Sequence, residues 1–148
     1  MLPFYALVAA CLLFRILGFI GLSYFDEWHS SLQGAVAVMF MLTASAHWGT
    51  RRPDLIRMVP PALPRPDLIV TVTGLLEVAG AIGILFTATS KVASIGLAVL
   101  LVAMFPANVR AAREQLSIGG RPVPKLLLRI VLQIVFLAAV LLAGAPSA

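Results

Sequence analysis

The stretch LIVTVTGLLEVAGAIGILFTA, residues 68–88, decides the fold. Across 21 residues it holds no Lys, Arg or His and a single acid, Glu77. Wound as a helix at about 1.5 Å per residue it spans roughly 30 Å, the thickness of a bilayer's hydrocarbon layer. Four further apolar runs match it: Leu2–Leu22, Leu32–Trp48, Val92–Val109 and Leu126–Ala143. Five such segments in 148 residues predict an all-α, polytopic membrane protein forming a single transmembrane domain over residues 1–148. Composition agrees. The mean hydropathy is +1.03, and 11% of residues are charged, where soluble domains carry roughly a quarter.

The charges between the segments give the expected orientation. Of eleven Lys and Arg, Arg51, Arg52, Arg57 and Arg65 lie between segments two and three. Arg110, Arg113, Arg121 and Lys125 lie between segments four and five, and only Lys91 lies in a loop of the other class. Cationic loops stay in the cytoplasm, so residues 49–67 and 110–125 are expected inside, with the N-terminus in and the C-terminus out. The expected location is the cell (inner) membrane, which the chain crosses several times. The net charge of +5 follows the membrane edge, a pattern that suits anionic lipid and argues against nucleic acid. The first segment lacks a basic n-region and a small-x-small cleavage site, so it is expected to be a retained helix.

Several chemistries fall away. Cys11 is the only cysteine, which excludes an intramolecular dithiol. Two histidines, His29 and His47, in loops of opposite polarity form no metal-ligand set, and His29 is expected to be solvated.

Ionisable and polar residues within the spans carry the remaining signal, because each needs a partner or a purpose there. Glu77 falls near the midplane of its segment and shares a helical face with Thr73, four residues earlier. Arg15 can reach the same depth, so Arg15 and Glu77 are a candidate intramembrane ion pair. Two readings of Glu77 stand side by side: a structural lock between helices, or a carboxylate that takes up a proton or holds a ligand. Gly74, Gly80 and Gly83 lie close to its stripe and are expected to admit a neighbouring helix. A second polar group gathers near the cytoplasmic ends: His47 with Thr43 one turn deeper, Asn108 just after Pro106, and Arg129 with Gln133 one turn on. The expected arrangement is a pocket with His47 and Arg129 at its mouth and Glu77 at its floor.

Several blocks in order resemble the DoxX-like family of small bacterial integral membrane proteins. They are Met58-Val59-Pro60-Pro61-Ala62-Leu63-Pro64, Thr73-Gly74 with Glu77, Gly80-Ala81-Ile82-Gly83 and Phe105-Pro106-Ala107-Asn108-Val109. Ala46-His47 and the Arg129…Gln133 pair are similar too, and the likeness covers about residues 32–143. The resemblance implies a four-helix transmembrane bundle, to which this chain adds the helix at Leu2–Leu22. It also implies a membrane subunit or small enzyme of a quinone-linked or redox-stress system, with quinone as a possible ligand and another redox or membrane-complex subunit as partner. On the matching positions, the resemblance carries over His47, Glu77, Asn108 and Arg129; with Gln133, whose depth lies towards that of Glu77, they are the candidate ligand-binding residues. The competing expectations are a non-enzymatic membrane scaffold or chaperone subunit and, behind it, a small-solute transporter.

Overall fold

The computed structural model describes residues 1–147. Helical residues make up 72% of the chain. In order they form α1 (Leu2–Phe19), a 3-10 turn (Ser23–Phe25), α2 (Trp28–Ser45), α3 (Arg52–Met58), α4 (Pro66–Gly83), α5 (Ser90–Arg113) and α6 (Leu126–Ala143). A small antiparallel hairpin, β1 (Ser117–Ile118) with β2 (Arg121–Pro122), joins α5 to α6.

Local chemistry sets these limits. Prolines fall in the first turn of α1, α3 and α4, where the missing N–H costs nothing because that donor has no partner within the helix. Pro60, Pro61 and Pro64 keep the chain from helix between α3 and α4, and Arg65 turns it back at φ 50. Pro106 lies inside α5 without ending it. Gly119 and Gly120, at φ 58 and 75, make the hairpin turn, a conformation that excludes most side chains.

α1, α4, α5 and α6 are each long and apolar enough to cross a membrane. α2 has the length, 18 residues, but opens on the polar run Trp28-His29-Ser30-Ser31-Leu32-Gln33. Its place in the fold accounts for that. α2 packs against α4 and α6, α5 closes the ring by packing against both, and α1 lies along α2 from outside. α2 therefore has the most buried surface, with Ser31, Gln33, Gly34, Ala35, Val36, Met39, Phe40 and Ala44 all inside. Its polar groups find partners among the neighbours: Gln33 Nε2 donates to Ala143 O at 2.9 Å, close to the end of α6. The other helices present Leu12, Phe19, Leu75, Val92, Val99, Leu127 and Ile134 outward. Such an inverted surface, apolar outside around a partly polar interior, suits lipid rather than water.

The basic connections meet at one end of the ring, where α2 and α5 finish and α4 and α6 begin. Arg57 pairs with Asp54 within α3, and Asp54 Oδ2 accepts the Gly119 N–H at 2.9 Å. Arg110 of α5 donates to the Val59 carbonyl. These bonds tie the segment between α2 and α4 to the segment between α5 and α6. His29 departs from expectation: it opens α2 half-buried, its Nε2 enclosed without a hydrogen-bond partner.

Candidate functional site

α2 and α4 place Thr43, His47 and Glu77 on facing surfaces. Thr43 addresses α4 from the last turn of α2, and His47 does so from the turn that follows Ser45. Gly74 makes this approach possible. A methyl group there would meet His47 Cβ at 2.7 Å, His47 Cγ at 2.8 Å and the Trp48 ring at 2.9 Å. Only a residue without a side chain lets His47 and Trp48 come this close to α4.

Glu77 points inward and is 2% exposed, while His47 is buried beside it. Thr43 Oγ1 donates to Glu77 Oε2 at 2.7 Å, and His47 Nε2 lies 3.5 Å from Glu77 Oε1. On the other side of the ring, His47 Nδ1 is 2.6 Å from the Val70 carbonyl oxygen. A carbonyl oxygen can only accept, so the proton on Nδ1 is fixed by that contact. Nε2 therefore faces Oε1 with a lone pair unless a second proton lies between them. Two lone pairs facing each other in a buried site repel, and an uncompensated buried carboxylate costs several kcal/mol in order of magnitude. One proton resolves both problems, carried as imidazolium with carboxylate or as imidazole with carboxylic acid. The geometry thus suits a pair that shares one proton between its two side chains.

Arg52 closes the basic end above the pair. Its guanidinium donates to His47 O at 2.8 Å, Asp67 O at 3.0 Å and Thr71 Oγ1 at 2.9 Å. The first turn of α4 and the end of α2 are thereby fixed to one planar group, which holds His47 in register with Val70. Reading the basic loops for orientation alone gave no hint of this role, since it depends on the turn at Ala46–Arg51 folding back.

The expected pocket does not assemble. Asn108 and Arg129 meet each other, Nη1 to Oδ1 at 2.7 Å, across the α5–α6 contact. Gln133 is half-buried and makes no side-chain hydrogen bond among the described residues. The reason is the order of helices round the ring: α4 and α6 stand at opposite corners, so Glu77 and Arg129 belong to different contacts. Arg15 does not pair with Glu77 either. Its Nη1 donates to the carbonyls of Phe25 and Asp26, and its guanidinium lies 4.8 Å from the centre of the Phe19 ring. Those carbonyls end the 3-10 turn and lack helical partners, and they lie nearer along the chain than α4. Two cavities open at the basic end, one of about 480 Å³ beside α5 and one of about 240 Å³ between α1 and α2. Neither is lined by His47, Glu77, Asn108, Arg129 or Gln133.

Compared with known families, residues 36–143 match a domain of unknown function (DUF8561). The chain belongs to that family. The match runs from the middle of α2 to the end of α6, so the DUF8561 region contains His47, Glu77, Asn108, Arg129 and Gln133 and leaves α1 outside it. No curated protein and no solved structure matches the chain.

Proposed function

We propose that this DUF8561 protein is a five-span, DoxX-like membrane protein whose His47–Glu77 pair takes up and releases a proton. It would serve a quinone-linked or redox-stress system as a membrane subunit or small enzyme, with an amphipathic, quinone-like ligand. α2 is the fifth span: its 18 residues rise about 27 Å, and Ser31 and Gln33 near its start are buried among neighbouring helices. The end bearing Arg51, Arg52, Arg57, Arg65, Arg110, Arg113, Arg121 and Lys125 faces the cytoplasm. The N-terminus is then inside and the C-terminus outside.

The observation that carries this reading is the buried contact of His47 Nε2 with Glu77 Oε1 at 3.5 Å, with Nδ1 turned to the Val70 carbonyl at 2.6 Å. A buried pair that can hold one proton, and can pass it on when a neighbour moves, suits chemistry in which protons accompany electrons. Packing at Gly74 leaves no room for a ring beside the pair, so a quinone would reach it only after α2 and α4 part. No electron-transfer step is assigned to these residues. In nanodiscs, quinone binding should be lost when Glu77→Gln and His47→Ala are combined; binding that survives refutes the ligand reading.

A scaffold role is the second reading, and one observation favours it. The pair is enclosed and satisfied by its own neighbours, so it also locks α2 to α4. A scaffold would keep its partner complex when Glu77→Gln removes the acidic proton, whereas the proton-exchanging reading expects activity to fall with it.

A further inference from the structure

Away from the His47–Glu77 pair, the groove of about 480 Å³ lies between the proline-rich linker ahead of α4 and the last turns of α5. Pro60, Pro61, Phe105, Pro106 and Val109 wall it. None of these offers a polar side chain, and the prolines offer no N–H either. The volume falls in the range of ordinary small-molecule sites, about 300–1,000 Å³.

The rim is cationic, and its charges are not equivalent. Arg110 Nε donates to Glu114 Oε1 at 2.9 Å, and Arg110 Nη1 donates to the Val59 carbonyl. Arg110 thus holds the linker against α5 and neutralises Glu114. Arg113 is exposed at the same rim and has no hydrogen-bond or ion-pair partner among the described residues. One free guanidinium therefore stands where an apolar wall ends, at the end of the molecule carrying most of its Lys and Arg. Charge complementarity calls for an anion, and the wall calls for hydrocarbon continuous with it.

We infer that this groove binds one anionic phospholipid, with an acyl chain along Phe105, Pro106 and Val109 and the phosphate on Arg113. The inference rests on the membrane placement proposed above but not on the proton held by His47 and Glu77. Bound lipid would cover the junction of the linker and α5 and so brace the segment that Arg110 already ties to Val59.

Native mass spectrometry of the full chain, released from detergent with phosphatidylglycerol or phosphatidylcholine, tests this. The wild type should retain one phosphatidylglycerol at least about tenfold more tightly than phosphatidylcholine. Arg113→Gln, on an exposed side chain, should weaken phosphatidylglycerol about fivefold, the contribution of one basic residue at an anionic surface, and leave phosphatidylcholine unchanged. Val109→Trp should fill the groove and weaken lipid retention in chains that keep their helical circular dichroism. Should Val109→Trp not fold, Arg113→Gln decides alone. Equal retention of the two lipids, no effect of Arg113→Gln, or displacement of the lipid by inorganic phosphate overturns the inference. Quinone binding measured on the same preparations separates the two proposals: loss of lipid selectivity with intact quinone binding refutes only the groove.

Discussion

Replacing Glu77 by Gln and by Leu should separate a proton-holding pair from a merely filled space. In Glu77→Gln, the amide oxygen can still accept from Thr43 Oγ1, now 2.7 Å from Glu77 Oε2. The amide nitrogen can donate to His47 Nε2, because Nδ1 keeps its proton on the Val70 carbonyl. The site becomes neutral without a mobile proton, and stability should change by less than about 1 kcal/mol. In Glu77→Leu, the Thr43 hydroxyl falls back on Phe40 O, 3.0 Å away, but His47 Nε2 is left buried and unpaired. One orphaned polar group costs about 1–3 kcal/mol, and a branched apolar side chain in place of a carboxylate adds packing strain. The Leu variant should therefore be less stable than the Gln variant by about 2–4 kcal/mol. Reversible unfolding in mixed micelles gives the difference, with Trp48 as a local probe, since its ring centroid lies 6.1 Å from that of His47. Equal stability of the two variants would refute the hydrogen-bonded pair.

Gly74→Ala should cost about 1–3 kcal/mol through overpacking, because its methyl must displace His47 and Trp48; unfolding in the same micelles checks this, and an unchanged stability contradicts the close approach. Asn108→Leu should cost about 1.5–3 kcal/mol by removing a hydrogen bond to the charged Arg129, and adding Arg129→Met should recover most of the loss in a double-mutant cycle. The Asp54 carboxyl is held below the usual carboxylate range, first by the Gly119 N–H and then by Arg57. A lowered folded-state value means that the clasp is fully present above the ordinary carboxylate pKa of about 4 and is lost as pH falls through the lowered one. The Gly119 amide resonance should thus titrate below about pH 4, and Asp54→Asn should abolish the titration; a midpoint at or above that value refutes the clasp.

Hydropathy made the helices legible because lipid-facing surfaces must be apolar along their whole length, and the run at Leu126–Ala143 coincides with α6. It placed the start of α2 four residues late, at Leu32 instead of Trp28, because the polar residues there are covered by partner helices. Helical spacing was enough to find the face shared by Thr73 and Glu77, but it put His47 at the mouth and Glu77 at the floor, whereas the two side chains meet at 3.5 Å. Spacing within one helix carries no information on which helices are neighbours. Asn108 and Arg129 were therefore grouped with Glu77, although the ring order gives them to each other. The same blindness sent Arg15 towards Glu77, when the Phe25 and Asp26 carbonyls at the end of the 3-10 turn lay closer. Arg52 stayed hidden because its partners are two backbone carbonyls and a hydroxyl, none of which marks a sequence.

The site's central claim is a single proton between two buried side chains, and nitrogen NMR of 15N-histidine-labelled protein in lipid reads it directly. With only His29 and His47 in the chain, His29→Gln assigns the signals. His47 Nδ1 should stay protonated throughout, and Nε2 should either donate a second proton to Glu77 Oε1 or accept one from its protonated carboxyl, with that acidic proton lost in Glu77→Gln. A bare Nδ1 with the proton on Nε2, or a neutral His47 beside an unprotonated Glu77, would contradict it.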